Sequence, residues 1–190
     1  MYVERAGTGR EAYLALHGWG SDRTAFAPLA ARVPARATFY SADLPGYGRS
    51  PALTELTLDA VTDEVAATVR ALDTARLTIV GNCGGAIFAL LAAQRLAGVV
   101  RRVVMIDPFA YLPRYFRLFT AGEFGRHAYE ATFANPVGRW LTNQSLRRRR
   151  TGAADLTASF GSVDHEVSRR YLVLFASGGR IERFGDVRAA

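Results

Sequence analysis

The segment LTIVGNCGGAIFALLAAQ, Leu77 to Gln94, carries a β-branched apolar stretch into Gly81-Asn82-Cys83-Gly84-Gly85 and then into a second apolar stretch of helical composition. A nucleophile with glycine two residues away on each side, at a strand-to-helix junction, fits a strained turn with no room for β-carbons beside the reactive group. Cys83 is the only cysteine of the chain. It would project at the top of a sheet and at a helix N-terminus, where unpaired N–H groups and the helix dipole are expected to lower its pKa below the free value of about 8.5. The chemistry open to such a group is nucleophilic attack on an acyl carbon. A small cysteine buried in a tight βα turn satisfies the same local pattern, so the turn alone leaves both readings open.

Two further stretches bear on the same chemistry. In LALHGWGSDRTAF an apolar strand ends at His17-Gly18, and the following loop can aim the Trp19 N–H at the space above Cys83. With the Gly84 N–H it would form an oxyanion hole for an acyl-transfer transition state. RRVVMIDP places Asp107 at the end of the next strand, where it reads either as an acid partner or as a turn cap ahead of Pro108.

The elements that must position these groups alternate through the first 107 residues. AYLALHG (12–18), ATFYSADLPG (37–46), RLTIVGN and VVRRVVMIDP read as strands. DRTAFAPLAARVP reads as a short helix with Phe26, Leu29, Ala30 and Val33 on one face. Leu58, Val61, Val65, Val69 and Leu72 recur at helical spacing, and GAIFALLAAQRLAG supplies another helix. Alternation of this kind predicts an α/β class with a mostly parallel sheet and right-handed crossovers. From Phe109 the pattern changes to aromatic-rich helical segments, so the chain divides into 1–108 and 109–190 within one domain overall. In the second part, Val167, Tyr171, Leu172, Leu174 and Phe175 mark a helix face behind a cap at Asp164.

In order and spacing, HGWG, DLPGYGRS, GNCGG and RRVVMIDP resemble the α/β-hydrolase family over about residues 2–110. The resemblance implies a doubly wound sheet with Cys83 at the nucleophile elbow and a helical cap from about Phe109. It also implies that Asp43, Pro45 and Gly46 are turn residues, that Ser50 is a helix cap, and that His17 is structural rather than the general base. The family usually has serine at the elbow; a thiol there permits covalent catalysis and still needs a base for efficient turnover. Family members return after the cap with two further strands carrying an acid and a histidine, whereas this chain reaches SGGRIERFGDVRAA first, which reads as C-terminal truncation. Of the histidines left, His127 and His165, both in the cap-like part, His165 is the candidate base, since it follows Cys83 and Asp107 in the family's order; the exposed face of a helix is its competing place. Without further strands VVMID would be an uncovered sheet edge, open to a second copy or a complementing chain.

Composition narrows the rest. The net charge of +7 comes entirely from arginine, 24 residues with no lysine, and the Arg147–Arg150 run lacks the aromatic interleaving of nucleic-acid platforms, so no nucleic-acid partner is expected. Apolar runs fall short of the roughly 18 residues a membrane span requires, the N-terminus shows no signal pattern, and a lone cysteine forms no internal disulfide. A cytoplasmic protein without metal or cofactor is expected. The function implied is hydrolysis or transfer of an acyl group from a small-molecule ester or thioester through Cys83. The alternative is a catalytically incomplete relative serving as a binding or interaction module. In that reading Trp140, Phe116, Phe119, Phe124 and Phe133 either line an apolar ligand pocket or form the core of the cap.

Overall fold

The computed structural model describes residues 1–72, 74–108, 114–149 and 160–177. Five strands form one mixed sheet: β1 Val3–Gly7, β2 Glu11–Leu16, β3 Ala37–Ala42, β4 Leu77–Asn82 and β5 Val100–Ile106. Their order is β1-β3-β2-β4-β5, with β1 antiparallel to β3 and every other pairing parallel. The registers Leu16 to Gly81 and Asn82 to Ile106 bring the C-terminal ends of β2, β4 and β5 to one edge. Everything after those three ends is therefore within reach of everything else.

Helices cover both faces, as a sheet of buried parallel strands requires. On one face lie α2 (Leu58–Ala71) and α3 (Gly84–Arg95), burying Val61, Val65 and Val69 of α2 and Phe88 of α3 with Leu14, Leu16, Leu77 and Ile79. The Thr57 hydroxyl caps α2 by accepting from the Ala60 N–H at 3.0 Å. Arg95 ties the two helices together through Asp59 and Asp63. On the other face a 3-10 turn, Arg23–Phe26, runs into α1, Ala27–Ala30. Phe26 is buried there with Ala15, Phe39 and Val80, but Leu29 is exposed. Ala30 and Val33 of the expected apolar face pack against the same cluster; Leu29 departs because a 3-10 turn followed by a single α turn breaks the 3.6-residue period.

The second part begins with a 3-10 helix, Arg114–Thr120. It continues through α4 (Gly122–Tyr129), a π turn at Glu130–Ala134, α5 (Pro136–Arg149) and α6 (His165–Ser177). Tyr129, Phe133, Phe160 and Leu172 form its core, with Phe116, Phe119 and, from the loop after β2, Trp19 packed against them. Two of the five aromatics expected in a pocket or core stay outside: Phe124 is 68% and Trp140 57% exposed. Each neighbours the buried positions of its helix, Gly125 and Tyr129 on α4, Arg139 and Asn143 on α5, and so points off the packed face. Arg150 and residues 178–190, on which the truncation reading rests, lie outside the described residues. Among the described residues no strand pairs with the outer side of β5, and Val104, Met105 and Ile106 are exposed.

The turn after β3 is organised around a fully buried carboxylate. Asp43 accepts from the Arg23 and Arg49 N–H groups at 2.8 and 2.9 Å and from the Arg23 guanidinium at 3.1 Å. Ser50, expected to cap a helix, instead donates to the Asp43 carbonyl at 2.6 Å and accepts from the Tyr2 N–H at 2.7 Å, which locks the turn against the start of β1. Asp43→Ala leaves two N–H groups without their acceptor and the Arg23 guanidinium with Glu4 as its remaining carboxylate partner. It is expected to cost about 1–3 kcal/mol in urea unfolding; a loss within experimental error would show that the buried carboxylate does not hold this turn.

Candidate active site

Cys83 sits between β4 and α3 with φ 50° and ψ −116°, a conformation that side chains other than glycine rarely adopt. The surroundings over-determine it. The Cys83 N–H donates to the Ile106 carbonyl at 2.9 Å, and the Cys83 carbonyl accepts from the Ala86 N–H at 3.1 Å. A β-carbon at Gly81 would lie 2.4 Å from Ala86 Cα, and one at Gly85 would lie 2.3 Å from the Leu16 carbonyl oxygen and 2.5 Å from that of His17. The steric reason for glycine at both positions is thus close backbone approach, of the helix start for Gly81 and of the end of β2 for Gly85. A third close approach joins the loop after β2 to the elbow: a β-carbon on Gly18 would come within 2.9 Å of Cys83 Cβ.

The half-buried thiol faces the backbone N–H groups of Gly84 and Trp19, and both favour the thiolate. Burial outweighs them and pushes the Cys83 pKa above its ordinary value, helped by the negative charge of Asp107. This reverses the expected lowering. The N–H groups of the helix end are present, but the thiol has lost more by leaving water than it recovers from them.

His17 is fully buried, and its Nε2 accepts from the Leu44 N–H at 2.9 Å. That bond assigns the proton to Nδ1, which donates to the Gly18 carbonyl at 2.9 Å. Burial lowers the imidazole pKa, so the neutral ring serves as a two-ended strut between the loop after β2 and the turn after β3. Tyr47 packs edge-on against it at 5.1 Å.

Asp107 follows β5 directly, with φ 46°, at the strand end beside Cys83, and is exposed. The two groups are thereby brought together. His165 lies in the first turn of α6, with Nδ1 3.5 Å from the Tyr129 hydroxyl and its ring stacked on Phe160 at 6.5 Å. These contacts set the ring against the aromatic cluster of the second part. His127 is exposed and bonds the Glu123 carbonyl at 2.9 Å. No three or more His, Cys, Asp or Glu side chains among the described residues are grouped to hold a metal ion, and no described helix is long and apolar enough to cross a membrane.

Two α6 residues touch the site: Phe175, read from sequence as part of a helix face, and Ser168, for which the sequence carries no signal. The Trp19 indole Nε1–H donates to the Ser168 carbonyl at 2.7 Å, and the Phe175 ring lies against Gly84. Helical periodicity marked Phe175 as buried but carried no sign of which element it would meet.

Comparison with known proteins gives the same placement. Curated relatives include a pimeloyl-[acyl-carrier protein] methyl ester esterase of Stenotrophomonas maltophilia, 35% identical over 144 residues, 75% of this chain and 50% of that protein. Another of that name, from Neisseria meningitidis serogroup C, is 36% identical over 142 residues, 72% of this chain and 54% of that protein. The chain therefore spans about half the length of the curated relatives it matches. Among solved structures, a thermophilic esterase from Thermogutta terrifontis superposes with a TM-score of 0.72 at 18% identity, covering 93% of this chain and 66% of that one. A carboxylesterase structure from Nitrososphaera gargenis does so with 0.72 at 19%, covering 95% and 70%; at such identities the likeness is one of fold. The model of the alpha/beta hydrolase family matches residues 14–189, and with the sheet order and the elbow as described, the chain belongs to that family.

Proposed function

We propose that this chain carries the acylating site of an ester hydrolase, with Cys83 as nucleophile and the Trp19 and Gly84 N–H groups as oxyanion donors. The observation that supports it is the convergence of those two N–H groups on a thiol held at positive φ. In the first step the Cys83 thiolate attacks the ester carbonyl carbon, and the carbonyl electron pair moves to oxygen, where the two N–H groups receive the charge. Collapse of that intermediate breaks the C–O bond, the alkoxide leaves with a proton from solvent, and a thioester to Cys83 remains. Water then cleaves the thioester. Asp107, beside Cys83, is in place to orient a base, and no described histidine bonds to either residue. Acylation in this reading draws on the small thiolate fraction present at neutral pH. The relatives named for a carrier-protein methyl ester make an acyl methyl ester the substrate class to try first.

The test is acylation itself. Incubation with p-nitrophenyl acetate is expected to release p-nitrophenolate in a burst equivalent to the protein present and to add one acetyl group, located to Cys83 by mass spectrometry. Cys83→Ala should show neither. Folded wild-type protein that gains no acetyl group, while binding an apolar ester as tightly as Cys83→Ala does, would instead support a ligand-binding role.

A further inference from the structure

We propose that α6 is the positioning element of the oxyanion hole, holding both donors through Ser168 and Phe175; the inference rests on the reading of Trp19 and Gly84 as those donors. The two N–H groups come from different parts of the sheet edge, one from a loop after β2 and one from the start of α3. A loop that contains Gly18 and Gly20, the latter at φ 70°, has little intrinsic rigidity. Its N–H keeps its aim only if something fixes residue 19. The Trp19 side chain does this: its indole donates to the Ser168 carbonyl at 2.7 Å, and its ring packs edge-on against Phe116, Phe133 and Phe160 at 5.6, 5.2 and 4.8 Å. Seven residues further along α6, about two turns on the same face, the Phe175 ring closes on Gly84, so near that a β-carbon there would lie 2.6 Å from its Cζ.

The same helix is fixed to the remaining loop of this edge. The Tyr171 hydroxyl donates to the Pro45 carbonyl at 3.1 Å, and Val167 approaches Gly46 so closely that a β-carbon there would meet its Cγ1 at 2.8 Å. One rigid rod therefore spans the turn after β3, the loop after β2 and the elbow helix, and it refers the two donors to a common frame. Ser168 acts through its main-chain carbonyl, at a position the Asp164 cap fixes by anchoring the helix start on the Glu166 and Val167 N–H groups at 2.8 and 3.0 Å.

The experiment reads the donors without requiring turnover, through the pH profile of Cys83 alkylation by iodoacetamide. Trp19→Phe keeps a ring and removes the indole N–H; Phe175→Leu keeps burial and relaxes the contact with Gly84. Each is expected to move the alkylation midpoint upward and to slow the reaction at pH 8 by about threefold to tenfold. Arg170→Ala deletes the α6 bond to the Thr54 carbonyl, which touches neither donor, and should leave the midpoint in place. Circular dichroism establishes folding for all three, and either of the first two variants suffices if the other is unfolded. An unchanged or lowered midpoint in the folded variants overturns the proposal, as does an equal shift in Arg170→Ala. Failure of the wild type to be acetylated would strike the esterase reading alone, since alkylation reports the donors independently.

Discussion

Cys83→Ser is expected to lower acylation by p-nitrophenyl acetate by about a thousandfold or more. Serine is the usual residue at this elbow, yet it works there because a neighbouring base removes its proton. Here no described histidine bonds Cys83: His17 spans Leu44 and Gly18, His165 stacks on Phe160, and His127 bonds Glu123 on the exposed side of α4. A thiol in that situation still offers a usable fraction of thiolate, whereas an unassisted hydroxyl offers almost none. The pH dependence follows with the same sign. Burial and Asp107 raise the Cys83 pKa, so the wild-type acylation rate should climb about tenfold per pH unit from neutrality and level off only above the ordinary cysteine value. A serine variant of near wild-type rate, or a wild-type profile flat above pH 7, would mean that a base reaches residue 83 after all.

Legibility of the sequence divided along a physical line. The elbow could be read because sterics at Gly81 and Gly85 and the junction of two apolar runs are local facts, and they recur in the structure as backbone atoms within 3 Å of where a β-carbon would sit. The central parallel strands β2, β3 and β4 could be read because buried strands are largely apolar, and the edge strand β5 because VVMI runs apolar up to Asp107. β1 could not: VERAG carries no apolar alternation, and it is a strand only because its backbone pairs with β3 from Val3 to Gly7. Charge and burial at Cys83 were equally out of reach. The helix-end effect is a property of the local chain, but the desolvation that outweighs it is supplied by packing brought from distant segments. Ser50 shows the same limit, since its partners are Asp43 and Tyr2, the second forty-eight residues away. Where the partner of a side chain lies far off in sequence, residue type and period identify the group but not what it does.

At the elbow, a single methyl group is expected to have a large structural effect at Gly85. In an exposed helix, glycine to alanine gains about 1 kcal/mol from propensity. At Gly85 the added carbon would lie 2.3 Å from the Leu16 carbonyl oxygen and 2.5 Å from that of His17, both main-chain atoms at the end of β2. Neither can swing aside without moving Leu16, which is fully buried, or the His17 strut and the loop that carries Trp19. Overpacking against such atoms costs about 1–3 kcal/mol or more, so Gly85→Ala should be destabilised overall. At about 2–4 °C per kcal/mol for a chain of this size, its melting temperature should fall by several degrees, and Cys83 alkylation should change with it. Gly84→Ala is the informative contrast, because its β-carbon meets only the end of the Phe175 ring, at 2.6 Å. The far end of a side chain can shift by a small tilt about its first side-chain torsion where a carbonyl in a strand cannot, and the propensity gain then offsets part of the cost. Gly84→Ala should accordingly remain the more stable of the two while still disturbing the donor at residue 84. Equal melting temperatures for the two variants would show that the end of β2 yields as readily as a side chain, and the elbow would then lack the rigid floor that holds Cys83 at positive φ.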